Sequence, residues 1–156
     1  MKLSTKGRYG LRAIVDLAIY SENETISLSS IAERENISIS YLEQLIAKLK
    51  KAGLVISVRG AQGGYKLAKP THEISVGEVL RVLEGNLDPV NCAEVVGGEN
   101  NCSSSELCVT KYVWKRISDS INDAVDQIYL SELVNESKKK KAQCKHTKLE
   151  GKPTCQ

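Results

Sequence analysis

The sequence predicts a mainly α chain with one small β-hairpin wing, and three observations carry that prediction. Apolar residues recur at helical spacing in three short stretches before residue 53. A β-branched run, Leu54-Val55-Ile56-Ser57-Val58, then gives way to a glycine-rich turn and a short return strand, Tyr65-Lys66-Leu67. A longer amphipathic stretch near residues 109–128 follows, set apart by a segment without periodicity.

Taken in order, residues 5–22 read as a helix with Leu11, Ile14, Val15 and Ala18 on one buried stripe. Ser27 is placed to cap a second helix, Leu28–Glu35, with Ile31 and Ala32 inward. Glu35-Asn36-Ile37 makes a tight turn, and a third helix runs from about Ile39 to Ala52, stopped by Gly53. Its stripe is Leu42, Leu45, Ile46 and Leu49, and Ser40-Tyr41-Leu42-Glu43 has the form of a capping box. Residues 59–64, Arg-Gly-Ala-Gln-Gly-Gly, form the tip of the hairpin. Ser75 caps a helix from Val76 to Glu84 that Gly85 ends.

Residues 85–107 are rich in Gly, Asn and Ser and read as a long loop. Loops beyond roughly 12–15 residues are uncommon in compact domains unless they carry function or lack order. The long helix, Val109–Ile128, carries Val109, Val113, Ile117, Ile121, Ala124 and Ile128 on one face. The preceding domain is already complete, so that face is expected to pack on another subunit. Ser131 is placed to cap a last turn, Glu132–Asn135, and the tail from Ser137 lacks apolar periodicity and is expected to be disordered. Four regions result: 1–84, 85–108, 109–136 and 137–156.

The 156 residues contain 22 Lys and Arg against 19 Asp and Glu, a net charge of +3 that conceals a segregation. Residues 1–70 carry +5, residues 71–136 carry −8 and residues 137–156 carry +6. The basic first block suits a polyanion and the acidic middle does not. No run approaches the ~18 apolar residues of a membrane span, and the N-terminus lacks the apolar core of a secretory signal. A cytoplasmic, reducing setting is therefore expected. There, five Cys read as metal ligands or redox thiols rather than a disulfide framework.

Three helices followed by a glycine-tipped hairpin is the order of a winged helix-turn-helix, in which the helix after the tight turn enters the major groove of duplex DNA. Off the buried stripe of that helix lie Ser40, Glu43, Gln44, Ala47, Lys48 and Lys51. Glu accepts from cytosine N4, Gln pairs with adenine, and Ser is permissive. Lys48, Lys51, Lys6 and Arg8 suit phosphate contacts that position the protein without reading sequence. Arg59 lies where the wing turns and its guanidinium suits a narrow minor groove.

Cys92, Cys102 and Cys108 are separated by nine and five residues, and Cys108 opens the long helix. Thiols converging on a helix N-terminus are favoured as thiolates and suit a soft metal or an iron–sulfur cluster. From spacing alone a zinc site, a redox switch or three unrelated thiols stay open. Cys144 and Cys155 in the tail, with His146 nearby, read as exposed thiols, and His72 reads as a loop residue. Neither His adjoins the Cys loop in sequence, and no phosphate-binding loop or paired-carboxylate motif is present, so an enzyme is not expected.

Three stretches carry a family resemblance: Met1-Lys2-Leu3-Ser4-Thr5-Lys6-Gly7-Arg8-Tyr9-Gly10, Ile37-Ser38-Ile39-Ser40-Tyr41-Leu42-Glu43-Gln44-Leu45 and Val58-Arg59-Gly60-Ala61-Gln62-Gly63-Gly64-Tyr65. They resemble the bacterial Rrf2 winged-helix regulators and, within them, the iron–sulfur cluster regulators of the IscR type, from residue 1 to about 136. The resemblance implies a homodimer built on the long helix. It implies groove reading by Ser40, Glu43 and Gln44 and minor-groove insertion of Arg59.

It further implies an iron–sulfur cluster on the three loop Cys, [2Fe-2S] rather than [4Fe-4S], and target genes for cluster assembly, with the assembly machinery as a partner. The family places a His three residues after the last Cys, but this chain has Lys111 there, which is no ligand when protonated. Substitutes for the fourth ligand are Glu106, Cys144, Cys155, His146, a residue of the other subunit or a small solvent ligand. Relatives that sense nitric oxide use a partner carboxylate near position 8, which is Arg8 here. The alternative reading is a repressor of cysteine metabolism from the same superfamily, with the loop thiols as a redox switch or zinc site.

Overall fold

A computed structural model describes residues 3–22, 24–90 and 107–149, with side chains through Gln143. Three helices come first. α1 (Thr5–Tyr20) is capped by the Ser4 hydroxyl, which accepts from the Lys6 N–H at 3.1 Å. α2 (Leu28–Glu35) is capped by Ser27, as its sequence predicts, and ends at Asn36 in the left-handed region, φ 51°. α3 (Ile39–Lys51) buries Leu42, Leu45, Ile46 and Leu49 against Ala13, Ile14 and Leu17 of α1 and Ile31 of α2. Asp16, only 4% exposed, enters this packing held by Nε and one terminal nitrogen of Arg34 at 2.7–3.2 Å. That hydrogen bond, ahead of the opposing cost of burial, raises the guanidinium's already high pKa.

Two expectations are corrected here. The cap of α3 is Ser38, whose hydroxyl accepts from the Tyr41 N–H at 3.3 Å, so Ser40 and Glu43 do not form a capping box. Ile37 and Leu42 flank Ser38 at the spacing of a hydrophobic staple, which decides the frame. The stripe of α1 is also rotated: Ala13, Ile14 and Leu17 are fully buried, whereas Leu11 and Val15 are half-buried. The cause is a glycine face, Gly7 and Gly10, which lets a later helix come close on that side.

The hairpin pairs β1 (Val55–Val58) with β2 (Gly64–Leu67), antiparallel, from Val55 opposite Leu67 to Val58 opposite Gly64. Ile26, between α1 and α2, exchanges both backbone hydrogen bonds with Tyr65 at 2.9 and 2.8 Å and so adds an outer rung to β2. The wing is thereby anchored to the helical core along its return strand.

A 3₁₀ turn (Thr71–Glu73) leads to α4 (Val76–Glu84), capped by Ser75 and ended at Gly85 with φ 95°, a value that suits glycine. A side chain on Gly7 would collide with Glu84 and one on Gly10 with Leu83, so these two glycines set the α1–α4 distance. α5 (Lys111–Asp126) starts two residues later and ends two earlier than expected. Its end is fixed by a backbone clasp, Val76 N–H to Ile128 O at 2.8 Å and Leu130 N–H to Ile74 O at 3.0 Å, which pulls residues 128 and 129 out of helical geometry.

α6 (Leu130–Leu149) corrects the reading of the tail. Ser131 lies inside the helix rather than capping it, and the Glu132 carboxylate accepts from the Tyr129 N–H at 3.0 Å instead. Order does not stop at Ser137. Leu130 and Val134 are buried in the main core, and residues 137–149 are dominated by helix formers with no Gly or Pro before Gly151. Lys141 also donates to the Tyr20 hydroxyl at 2.8 Å, tying the basic segment back to α1. Among the described residues no helix is long and apolar enough to cross a membrane.

Candidate nucleic-acid interface and cysteine site

α3 turns its stripe inward, which leaves Ser40, Glu43, Gln44, Ala47, Lys48 and Lys51 exposed on one face. The side chains of Glu43 and Gln44 make no hydrogen bond within the described residues, so their polar ends are available to an incoming partner. The wing is fastened to this helix. Lys50 Nζ donates to Ser57 Oγ at 2.6 Å, joining the end of α3 to β1. Thr25 Oγ1 donates to the Gln62 carbonyl at 2.6 Å, and the Gly63 N–H closes the tip onto the Gly60 carbonyl at 2.9 Å. Gly60 sits at φ 116°, where a side chain would be strained. Arg59, next to it, is exposed.

The first turn of α1 borders α3. Tyr41 donates to Thr5 Oγ1 at 3.2 Å, and the rings of Tyr9 and Tyr41 meet edge to face with centroids 6.2 Å apart. Lys6 and Arg8 are exposed on that turn. The sequence reading overlooked Tyr41, Ser38 and the Lys50–Ser57 link. Of these only Ser38 left a signal, the Ile37/Leu42 staple around it.

Of the cysteines, Cys108 is described and is a partly exposed free thiol just before α5; Cys92 and Cys102 lie outside the described residues, as do Glu106 and Cys155. Cys144 and His146 fall in the last turns of α6. Cys108 Sγ lies 3.2 Å from Thr110 Oγ1. That hydrogen bond, then one from the Lys111 backbone N–H, lowers the thiol's pKa below its ordinary value. Thr110 occupies the cap position of α5 but gives its hydroxyl to the sulfur instead of the helix. A sulfur so placed is a ready soft-metal ligand. Lys111 sets its ammonium 5.8 Å from the Tyr112 ring centroid.

The two ends of α5 differ. Ile121 and Val125 pack with Val76, Leu80 and Leu87 in a second small core. Val113 and Ile117, two turns and one turn before Ile121 on the same stripe, are exposed instead, at 53 and 37%, as are Tyr112 beside them and Leu107 and Val109 just before the helix, at 70, 89 and 78%. Single exposed apolar residues are ordinary; a cluster of them at one end of a helix marks a candidate interface.

A family profile described as an iron-dependent transcriptional regulator, Rrf2, matches residues 3–136. The chain belongs to the Rrf2 family. Its relatives include the regulator IscR of Vibrio campbellii, 41% identical over 137 residues that cover 88% of this chain and 79% of that one. Among solved structures, T. potens IscR is 45% identical, with 88% of each chain covered and a TM-score of 0.70. The global cysteine regulator CymR of B. subtilis is 39% identical, covering 87% of this chain and 98% of that one, with a TM-score of 0.71. This Rrf2 protein is thus a transcriptional regulator with a winged-helix DNA-binding fold, and not an enzyme.

Proposed function

We propose that this Rrf2 protein is a cytoplasmic homodimer whose choice of promoter follows the occupancy of an iron–sulfur cluster on Cys92, Cys102 and Cys108. Ser40, Glu43 and Gln44 read the major groove, Arg59 enters the minor groove, and Lys6, Arg8 and Lys48 hold phosphates. The cluster is of the [2Fe-2S] type, the targets are genes of cluster assembly, and the assembly machinery supplies the cluster. The four regions at 1–84, 85–108, 109–136 and 137–156 divide these roles between DNA binding, cluster binding, dimer formation and a basic extension.

The observation that carries this reading is the setting of Cys108, a thiol steered toward the thiolate at the head of the helix whose first turns carry the exposed Tyr112, Val113 and Ile117. Sensor and dimer contact are thereby joined on one element. The likeness to IscR from two organisms supports it. A bound cluster supplies a centre that oxidants and iron shortage dismantle. With Lys111 in place of a His ligand, the fourth iron ligand is a small solvent molecule or a carboxylate, which makes the centre labile.

The test is anaerobic isolation followed by iron and sulfide analysis and Mössbauer spectroscopy. The expected result is equimolar iron and sulfide, lost in a Cys92/Cys102/Cys108→Ala variant whose promoter selection is also changed. Colourless, iron-free protein, with the triple variant regulating normally, would refute it. The equally strong likeness to CymR favours a second reading, a regulator of sulfur metabolism with the loop thiols as a switch. Zinc without sulfide, or a reversible disulfide within the loop, supports that one.

A further inference from the structure

The turn of α1 that carries Lys6 and Arg8 is gripped from behind by a residue of another element. Glu84 is the last residue of α4, and its Oε1 accepts three hydrogen bonds from the head of α1. The donors are the Ser4 N–H at 3.0 Å, the Ser4 hydroxyl at 2.8 Å and the Gly7 N–H at 2.8 Å. Gly7 leaves room for that carboxylate, because a Cβ there would collide with it. The same turn is tied to α3 on its other side through Tyr41 and Thr5. A carboxylate at a helix N-terminus is favoured twice, by charge-assisted bonds to amide donors and by the helix dipole.

Charge alone gives Glu84 the opposite sign of effect on DNA. A carboxylate beside a cationic face repels phosphate, so a residue acting only through its charge would tighten binding when removed. A residue that holds Lys6, Arg8 and, through Thr5 and Tyr41, the reading helix in register would weaken binding when removed. The two roles are therefore distinguishable by the direction of one measurement.

We propose that Glu84 is a positioning residue for DNA binding, fixing the start of α1, and with it the phosphate contacts and the docking of α3, relative to α4. This rests on the reading of α3, the wing and the head of α1 as the DNA face.

The experiment uses the full chain and two duplexes, one selected by the wild type from a random pool and one unrelated of equal length. Affinity is read by fluorescence anisotropy, with thermal unfolding followed in parallel. Glu84→Ala is expected to weaken binding to the selected duplex about tenfold, and Glu84→Gln, which keeps an acceptor oxygen but no charge, by less than about threefold. Combined with Tyr41→Phe, Glu84→Ala should cost less than the product of the two single effects, since both act through the same turn.

Unchanged or tighter binding by Glu84→Ala, or strictly multiplicative effects with Tyr41→Phe, would overturn the proposal. If Glu84→Ala does not fold, Ser4→Ala replaces it, with a loss of about threefold expected and no loss being the refuting result. Arg59→Ala is run alongside. If it leaves affinity intact the underlying DNA face is wrong; if it weakens binding while Glu84→Ala does not, only the present proposal fails.

Discussion

Replacing Val113 and Ile117 together by Ala should convert the protein from dimer to monomer over a wide concentration range. Val113 is 53% exposed and Ile117 37%, close to one whole side chain left in water per protomer. Burying such a side chain contributes roughly 1.5–3 kcal/mol. Truncation to Ala keeps the Cβ, so about 1.5 kcal/mol is lost per protomer and about 3 kcal/mol over the two copies of a two-fold interface. That is a loss of about a hundredfold in the association constant. Neither residue belongs to the buried core, so the fold should survive, with an unchanged helical circular dichroism signal. Sedimentation equilibrium across micromolar to nanomolar protein reads the shift, and DNA binding should weaken with it because two half-sites are no longer held by one particle. Dissociation constants that agree within twofold would show that this face of α5 is not where the chains meet.

Four further outcomes are expected. Arg59→Ala should weaken binding to a selected duplex by about tenfold without changing thermal stability, the residue being exposed; equal affinity in a gel shift would exclude a wing contact. Glu43→Ala should change base preference in a selection more than overall affinity, and a uniform loss across unrelated sequences would show that it does not read bases. In a variant keeping Cys108 as its only cysteine, Thr110→Ala should move the pH of half-maximal alkylation upward. The hydroxyl that lowers the thiol's pKa is then gone, and an unmoved profile would mean that this contact is not made. Asp16→Ala should destabilise the fold by about 2 kcal/mol in urea titration, less than the loss of a fully buried pair because Arg34 is one-third exposed; a change under about 0.5 kcal/mol would refute the pair's role.

The depressed thiol pKa also fixes a sign. The folded chain holds the Cys108 thiolate more firmly than the unfolded chain does. The stability this confers is present above the unfolded thiol's pKa and is lost as pH falls through the folded value.

The helices marked by caps and bulky apolar residues are legible in the sequence: α2 falls where Ser27, Ile31 and Ala32 place it, α3 where Leu42, Leu45, Ile46 and Leu49 do, and α4 between Ser75 and Gly85. What escaped was governed by small residues and by partners remote in sequence. Gly7 and Gly10 bury a face of α1 that hydrophobicity does not mark, because their contribution is the absence of a side chain against Glu84 and Leu83. Two serines compete for the cap of α3: Glu43 favours Ser40, whereas the Ile37/Leu42 spacing fits Ser38, which the structure bears out. The far half of α6 looked like tail because its charged residues carry no stripe, yet Lys141 reaches an aromatic 121 residues away, which no local pattern encodes. The exposed residues of α3 were legible as a by-product of the buried ones, since a helix that fixes four inward positions fixes the outward ones as well.

α4 is where these strands of structure meet. It is packed through glycines on both sides: Gly7 and Gly10 of α1 admit Glu84 and Leu83, and Gly77 of α4 admits Asp126 of α5. Each close approach is also bridged by charge. Glu84 reaches back to Ser4 and Gly7, and Arg81 pairs with Asp126 and donates to Asn122 Oδ1 at 2.8 Å. Contacts this short leave no slack, because close-packed interiors pass a displacement on rather than absorb it. From α5 through α4 to the head of α1, and through Thr5 and Tyr41 to α3, the contacts form one continuous chain. A regulator that must report an event beside Cys108 to a surface on α3 needs such a rigid element between them, and α4 has the packing to be it.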